Sequence, residues 1–368
     1  MNFTLRKGSR DRAWYGVCQF KDGDRWRTKE HKLKARTKTE AKERLREWAQ
    51  TISIPSEQSR EEIIAYGLSV IDYKLQLRSI LSASATDYKK SLVAWKPYIE
   101  GCSLSSVGRA DIEEGLKDML SRLSANTVLK RYIALNMVFE HAKEVGDLAA
   151  NPMDGIPRPT KEAPEQNPLS KDQVERVKSL LALIPQSPWT MMVYLCLMAG
   201  LRSEEAAALQ LRDIDLDART GWVRRAIGYG QGGSYVAPTK SKKLRDFRIS
   251  ENLAAQLEPW IRHQIAQYGD APTTWLLGTD ERWADARSLG RDWSRFCTLC
   301  GIRGIADRKP TLHDLRHTFA TRCIAHGMDV KTLQSILGHA SAAITLDVYA
   351  SSDTDAKAAS ATIIDQAI

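Results

Sequence analysis

The sequence predicts a multidomain, mainly α-helical protein: a small amino-terminal domain of β-strands and one helix, a helical bundle, and a mixed α+β domain with a small antiparallel sheet. Three observations predict this organisation. The chain has 368 residues, of which 43% are hydrophobic, and this is enough for two or three separate cores. Helical periodicity dominates after residue 61, and prolines crowd residues 151–168. Strand-like alternation is confined to the amino end and to residues 222–249.

Residues 1–54 form the predicted amino-terminal domain, and they are strongly basic. They contain 15 Lys and Arg residues against 7 Asp and Glu residues, so they account for +8 of the chain's net charge of +9. Residues 13–20 alternate as a strand, Trp26 begins a second strand, and residues 37–49 read as a helix capped by Thr37. These elements favour a folded domain over a solvated basic tail. The strong positive charge predicts that this domain binds a polyanion, for which nucleic acid is the leading candidate.

Residues 61–150 show only helical periodicity, which predicts a helical bundle. Its apolar residues form three stripes: Ile63, Ile64, Gly67, Val70 and Ile71; Leu92, Trp95 and Ile99; and Val128, Tyr132, Leu135, Val138 and Phe139. Prolines then interrupt regular structure, so residues 151–168 are predicted to be a linker. Residues 169–368 form the last predicted domain, which opens with a helix capped by Ser170.

Several function classes are not expected. The six cysteines are scattered, and only Cys297 and Cys300 have a metal-like spacing, so we expect reduced thiols and no metal site. No glycine-rich nucleotide loop occurs, and no cofactor is expected. The longest apolar run, residues 191–201, is shorter than the roughly 20 residues of a membrane span. Since the amino terminus has no apolar signal, a cytoplasmic protein is expected, without a membrane partner.

The first candidate site residue, Arg202, lies in the run Gly200-Leu201-Arg202-Ser203-Glu204-Glu205. Gly200 is predicted to end one helix, and Ser203 is predicted to cap the next. Arg202 would then be held at a break between two buried helices, where its guanidinium can bind two phosphate oxygens. An ordinary surface arginine is the alternative.

A second candidate, Lys240, lies in a basic turn that enters a strand. Its ammonium can approach a phosphate or protonate a leaving oxygen. A solvated charge run at a hairpin tip is the alternative. Because Lys242 and Lys243 are close by, the sequence leaves open which lysine acts.

The run from His313 to His317 predicts the start of a helix, where His313 and Arg316, at i and i+3, share one face. This pairing places a proton-transfer group beside a fixed cation, although a polar capped helix start is the alternative. Downstream, Gly338 is predicted to end a helix and to leave His339 exposed. Tyr349 follows ten residues later, and a packing role is its alternative.

In this order, the motifs resemble the catalytic domain of the tyrosine recombinases, the phage integrase family. The resemblance covers about residues 165–352. Each motif matches a family position. Arg202 and Glu205 match Gly-Leu-Arg-x-x-Glu, and Lys240 matches the lysine of the hairpin. His313 and Arg316 match His-x-x-Arg, His339 matches Leu-Gly-His, and Tyr349 matches the nucleophile. Lys243 and Arg245 stand where the family often has further basic residues.

The resemblance implies a role for each position. Tyr349 would attack the scissile phosphate, giving a 3′-phosphotyrosine and a free 5′-hydroxyl. Arg202 and Arg316 would hold the non-bridging oxygens, with Glu205 in support. The remaining roles fall to Lys240 as acid for the leaving oxygen, His313 for the tyrosine proton, and His339 for phosphate binding. Neither ATP nor a metal is needed, because the covalent bond retains the energy and cations replace metal ions.

The resemblance also implies partners. Double-stranded DNA would be bound at core sites by residues 61–150 and at arm-type sites by residues 1–54. Strand exchange implies a homotetramer on DNA, with possible DNA-bending or directionality factors. The tail, residues 351–368, has apolar residues at helical spacing and is hypothesised to dock on a neighbouring subunit. Two rival interpretations are a type IB topoisomerase and a DNA-binding protein of this fold without catalysis.

Overall fold

The computed structural model divides the chain into two compact units, Met1–Glu162 and Ala163–Ile368. It describes residues 2–8, 11, 13–22, 25–51, 62–163, 165–230, 232–239 and 244–338. These residues are mainly helical, with small antiparallel sheets, and this confirms the predicted fold class. The finer division at residues 54, 61, 150 and 168 stays a prediction.

The first unit begins with three antiparallel strands in the order β1-β2-β3, followed by a helix. The elements are β1 (Asn2–Lys7), β2 (Trp14–Asp22), β3 (Arg25–Leu33) and α1 (Lys38–Thr51). The sequence predicted β2, β3 and α1, and the Thr37 hydroxyl accepts a hydrogen bond from the Glu40 amide, as expected of a cap. It missed β1, because Phe3 and Leu5 are the only large apolar residues in a basic stretch.

Helix α1 packs on the sheet through Trp48. The ring of Trp48 meets Phe3 edge-on at 6.1 Å between centroids and stacks on His31 at 5.4 Å. A Cβ at Gly16 would lie 2.8 Å from both Trp48 and Leu45, so only a glycine lets the helix come this close to β2. The basic amino-terminal segment therefore has a packed core of its own.

A helical bundle follows, as predicted, and it consists of α2 (Ile63–Gln76), α3 (Ser82–Val93), α4 (Lys96–Ile99), α5 (Arg109–Arg122) and α6 (Ala125–Glu144). Nearly all members of the three predicted stripes are buried in one core. At its centre, the fully buried Trp95 donates from Nε1 to the carbonyl oxygen of Arg131. Met153 and Ile156 also enter this core, so the first part of the predicted linker packs against the bundle.

The second unit surrounds a helix that is buried almost throughout, α8 (Pro188–Met198). Its other helices are α7 (Lys171–Leu181), α9 (Ser203–Ala206), α10 (Glu251–Tyr268), α11 (Ala286–Cys300), α12 (Leu312–Ala325) and α13 (Val330–Leu337). The predicted cap of α7 is confirmed, because the Ser170 hydroxyl accepts from the Gln173 amide. Since α8 is apolar on all sides, it must be covered all round, and α10, α11 and α12 pack against it.

The strands predicted between residues 222 and 249 belong to two small antiparallel sheets. One has the order β4-β5-β8 and the other is the hairpin β6-β7. The strands are β4 (Ile214–Asp215), β5 (Thr220–Val223), β6 (Arg225–Gly230), β7 (Gly233–Pro238) and β8 (Arg245–Arg248). Residues 240–243, which include Lys240, connect β7 to β8 and lie outside the described residues.

The six cysteines are free thiols, and burial raises the pKa of Cys297 to about 12. Within the described ranges, no group of His, Cys, Asp or Glu side chains is arranged to hold a metal ion. In that same part of the chain, no helix has the length and apolar character needed to span a bilayer.

Candidate active site

Arg202 lies at the break between α8 and α9, as the sequence predicted. Gly200 has a left-handed φ of 66°, and a Cβ at this position would lie 2.5 Å from the ring of Phe319. The chain therefore turns at Gly200, because only glycine satisfies both conditions. Arg202 itself caps α9, and its side chain is 29% exposed, so it can reach solvent or substrate.

The predicted cap at Ser203 was wrong. Ser203 is the first helical residue, and its hydroxyl donates to Glu204. The carboxylate of Glu205 instead accepts the Arg202 backbone amide at 3.0 Å. A glutamate at the third helical position is long enough to reach back to the cap, so the acidic residue of the motif closes this turn.

Glu205 is the centre of the site. Its carboxylate is 3% exposed and faces three guanidinium groups. Oε1 accepts from Arg202 Nη1 and from Arg245 Nη1, both at 2.9 Å. Oε2 accepts from Arg245 Nη2 and lies 3.8 Å from Arg316 Nη1. One buried carboxylate thus holds cations from α9, β8 and α12 together.

The electrostatics of the cluster favour the charged form of Glu205. Burial by itself raises the pKa of a carboxyl group, but the hydrogen bonds and charge of Arg245, with the charge of Arg202, outweigh it and hold the pKa of Glu205 at about 2. Glu205 is therefore an anion at neutral pH. The carboxylate can balance only part of the surrounding positive charge, which leaves the cluster suited to an anionic ligand.

Arg316 is buried deeper than Arg202, and the protein fixes both of its terminal nitrogens. Nη1 donates to the Gly200 carbonyl and Nη2 donates to the Leu337 carbonyl, each at 2.7 Å. Burial and the charge of Arg202 lower the pKa of Arg316. The guanidinium joins the break after α8 to the end of α13, so its position is determined by three elements at once.

His313 opens α12, as predicted, in the second position of the helix. Thr311 caps α12, because its hydroxyl accepts from the Asp314 amide while the Asp314 carboxylate accepts the Thr311 amide. The His313 ring is exposed, and it meets the His317 ring edge-on at 4.6 Å. Desolvation by the surrounding protein and the charges of Arg316 and Arg202 lower the pKa of His313. A neutral His313 can accept a proton.

Arg245 is a member of the cluster that was not predicted from the sequence to belong to the site. It is the first residue of β8 and its side chain is 7% exposed. A signal was present: Phe247 and Ile249 mark the inward face of the strand, and Arg245 falls on that face by the two-residue period. An arginine that alternates with buried apolar residues needs a buried partner, and Glu205 provides it.

The end of α13 also matches its prediction. Gly338 caps the helix in the left-handed conformation, with a φ of 65°. His339 and Tyr349 follow it in the sequence, but they lie outside the described residues, as does Lys240. The structure therefore brings together Arg202, Glu205, His313 and Arg316, and the other three site residues stay predictions.

A cavity of about 430 Å³ opens beside His313. Arg287 and Lys309 contribute positive charge to its lining, and Ser203 and Thr311 contribute hydroxyl groups. The guanidinium of Arg287 lies 3.7 Å from the centre of the Tyr229 ring, which holds it in place. The lining beside His313 thus combines two cations with one carboxylate, that of Glu204, and with hydroxyl groups.

Comparisons with known proteins agree with this geometry. The model of the phage integrase family matches residues 168–355, which is half of the chain. The tyrosine recombinase XerC of Escherichia coli O127:H6 is 25% identical over 284 residues, which cover 76% of this chain and 84% of that protein.

Solved structures share the fold. The Tn1549 transposon integrase in complex with transposon right end DNA is 21% identical and has a TM-score of 0.64, covering 78% of this chain and 95% of that one. The XerH site-specific recombinase bound to its palindromic difH substrate is 18% identical and has a TM-score of 0.62, covering 85% of this chain and all of that one.

The chain belongs to the phage integrase family, the family of the tyrosine recombinases. Its enzyme class is accordingly that of the tyrosine-type site-specific DNA recombinases.

Proposed function

We propose that this recombinase cleaves and rejoins DNA with Tyr349 as the nucleophile and with Arg202 and Arg316 as the groups that bind the scissile phosphate. One observation carries the assignment: both arginines lie against the same buried carboxylate, Glu205, and His313 stands beside them. Two fixed cations and a neutral imidazole at one point suit the charge that develops on phosphorus oxygens in the transition state.

The proposed reaction needs a nucleophile, charge stabilisation and an acid. The Tyr349 hydroxyl loses its proton to His313 and attacks phosphorus, which forms a 3′-phosphotyrosine bond and breaks the bond to the 5′ oxygen. Lys240 gives that oxygen its proton, and His339 binds a phosphate oxygen. Arg202 is the better placed of the two arginines to meet the phosphate first, because it is partly exposed while Arg316 is almost fully buried.

The substrate we propose is double-stranded DNA, and the assembly is a homotetramer on it. The relatives are named as recombinases and integrases, and two of them are bound to DNA in the structures described above. The basic residues 1–54 would bind arm-type sites, residues 61–150 core sites, and residues 169–368 would catalyse the reaction after the linker 151–168. DNA-bending or directionality factors would assist, and the proposed place of action is the cytoplasm.

A covalent-trapping experiment tests the assignment. A binding site is first selected from randomised duplexes with Tyr349→Phe, which cannot cleave. The wild-type protein is then incubated with a nicked duplex of that site and run on a denaturing gel. We expect a protein band shifted by bound DNA that disappears in Tyr349→Phe and persists in the matched control Tyr268→Phe, at the last residue of α10.

Other outcomes point elsewhere. A band that persists in Tyr349→Phe means that the nucleophile is wrongly assigned. Relaxation of supercoiled plasmids that lack the selected site would indicate a type IB topoisomerase. Tight binding to the selected site without any covalent band would indicate a DNA-binding protein without catalysis.

A further inference from the structure

The buried guanidinium of Arg245 has no part in the reaction described above, although it donates three hydrogen bonds to protein atoms within the site. Nε donates to the Ile336 carbonyl at 3.0 Å, Nη1 donates to Glu205 Oε1 at 2.9 Å, and Nη2 donates to Glu205 Oε2. All three nitrogens are engaged by protein atoms, and the side chain is 7% exposed. The proposed reaction assigns no phosphate contact to Arg245, so any effect of this residue on the reaction must pass through its partners.

Those partners belong to segments that carry proposed catalytic residues. Glu205 supports Arg202 directly, through hydrogen bonds to its side chain and its backbone amide. Ile336 lies in the last turn of α13, two residues before Gly338 and three before His339. Arg245 itself begins β8, five residues after Lys240. A single guanidinium thus joins the three segments that lead to Arg202, Lys240 and His339.

The contact with α13 is close. A Cβ at Gly338 would lie 2.8 Å from Arg245 Cδ and 3.0 Å from Nε, so the arginine stem occupies the space that any other residue at 338 would need. The Arg245 guanidinium binds the Ile336 carbonyl, and Arg316 binds the next one, at Leu337. Two cations therefore hold consecutive carbonyls at the negative end of the helix dipole.

The contact with Glu205 controls how much of the carboxylate remains for Arg202 and Arg316. Arg245 donates one hydrogen bond to each carboxylate oxygen in the bidentate geometry, which also determines the plane of the carboxylate. If Arg245 were removed, the carboxylate could rotate, and Arg202 and Arg316 would become its only guanidinium partners among the described residues. Both would then be drawn towards Glu205 and away from a phosphate.

We propose that Arg245 is a positioning residue for strand cleavage: it orients Glu205 beneath Arg202 and holds the end of α13 from which the chain continues to His339 and Tyr349. This inference rests on the proposed function, since it concerns the rate of the step assigned to Tyr349. It predicts that loss of Arg245 slows the chemical step and leaves DNA affinity nearly unchanged.

The test compares Arg245→Gln with Arg225→Gln. Arg225 is a matched control, because it is also a mostly buried arginine that begins a strand and binds a buried carboxylate, Asp213. The rate of covalent complex formation is measured in a single turnover at saturating nicked duplex, at a temperature where unfolding curves show both variants to be folded. The DNA concentration at half-saturation is measured separately.

We expect Arg245→Gln to lower the saturated rate by about 30-fold or more, since a mispositioned catalytic group commonly costs this much. The half-saturating DNA concentration should change by less than about 3-fold, because phosphate contacts elsewhere supply most of the affinity. Arg225→Gln should keep the rate within about 3-fold of the wild type. Arg245→Lys retains the charge without the bidentate geometry. Its saturated rate should lie between those of Arg245→Gln and Arg225→Gln.

A folded Arg245→Gln that cleaves at the wild-type rate would overturn the proposal. An equal loss of rate in Arg225→Gln would also overturn it, because general destabilisation would then explain both variants. If Arg245→Gln does not fold, Arg245→Lys decides: a rate within about 2-fold of the wild type counts against positioning. Failure of the proposed function itself looks different, since the wild-type protein would then form no Tyr349-dependent covalent complex.

Discussion

Glu205 and Asp213 are two buried carboxylates in the same unit, and they use the same local device. Each accepts the backbone amide three residues before it, from Arg202 and Gln210 respectively, and so closes its own helical turn. Each also binds an arginine from a nearby strand through both oxygens, Arg245 in one case and Arg225 in the other. A sequence pattern alone would treat the two sites as equivalent.

The two carboxylates differ in the elements of the fold that carry their arginine partners. The partners of Asp213 are two consecutive residues, Arg224 and Arg225, and Arg225 also donates to the Ala208 carbonyl. This group therefore joins pieces of the chain that lie close together in the sequence, between Ala208 and Arg225. Glu205 instead collects cations from α9, β8 and α12, and one of them, Arg202, is partly exposed. The same buried ion-pair motif can therefore either stabilise the fold locally or gather the residues of a candidate active site.

Neutralising each carboxylate distinguishes a role in stability from a role in cleavage, and we expect the largest effects from these two substitutions. Glu205→Gln and Asp213→Asn each leave buried guanidinium groups uncompensated, so both should lower the free energy of unfolding by about 3–5 kcal/mol. Only Glu205→Gln should also slow single-turnover cleavage in the folded protein, by about 10²–10³-fold, because it disturbs the arginines that we propose bind the phosphate. Denaturant unfolding and covalent-complex rates measure the two quantities. Equal losses of rate in both folded variants would contradict the comparison.

Glu205 and Asp213 should also differ in their effect on the pKa of His313. Desolvation, Arg316 and Arg202 lower the pKa of His313 below its ordinary value of 6.5, while Glu205 opposes the shift. At pH 6.5 the neutral form of His313, which can accept a proton, therefore predominates, and the cleavage rate should fall about tenfold per pH unit only below the lowered pKa of His313.

Removing the charge of Glu205 should lower the pKa of His313 further, whereas Asp213→Asn should leave it in place. Titration of the His313 ring by NMR in the three proteins measures this directly. A rise of the pKa in Glu205→Gln would contradict the arrangement of charges around the imidazole.

Alanine substitutions at Gly338 and Gly327 distinguish the effect of the contact between residue 338 and Arg245 from the effect of backbone strain. Both glycines are left-handed, with φ of 65° and 85°, but a Cβ at Gly327 would meet no atom within 4 Å, whereas one at Gly338 would meet Arg245. Gly327→Ala should cost about 1 kcal/mol in the free energy of unfolding. Gly338→Ala should cost about 3 kcal/mol, since the arginine must also move. If thermal unfolding gave the same loss for both, the close packing of Arg245 on α13 would be refuted.

The stability of the protein in acid depends on His317, which lies next to His313 near the Glu205 cluster. Burial, with His313 beside it, lowers the pKa of His317 to about 4, against 6.5 for an ordinary histidine. Below pH 6.5 the unfolded chain binds a proton that the folded chain does not, so stability falls from pH 6.5 to about pH 4, by about 2 kcal/mol after allowance for partial exposure.

Glu205 affects stability at lower pH, because its pKa of about 2 lies below its ordinary value of 4.5. The stability that its charge contributes is lost as the pH falls from 4.5 to 2. His317→Asn should therefore flatten the stability curve only between pH 6.5 and about pH 4. Urea unfolding at pH 7, 5.5 and 4.5 measures the difference. An unchanged slope in His317→Asn would show that another group titrates there.

Much of the fold and part of the candidate site followed from local patterns. The helix stripes of the bundle, the caps at Thr37 and Ser170, and the turn at Gly338 were predicted correctly, because each depends on residues within one or two helical turns. Strand β1 was missed, since its apolar residues are few and its partner strand supplies the pairing. The cap at Ser203 was predicted wrongly, because serine is a common capping residue, whereas here the helix begins at Ser203 and the Glu205 carboxylate binds the Arg202 amide instead.

The sequence by itself determined the family, the order of the site motifs and the chemistry that the residue types can perform, since these depend on identity and spacing along the chain. Only the tertiary structure decided that Arg245 belongs to the site and that Arg316 is held by the carbonyls of Gly200 and Leu337. The physical reason is burial. A charged side chain inside a protein needs partners, and the fold brings them from elements that are far apart in the sequence.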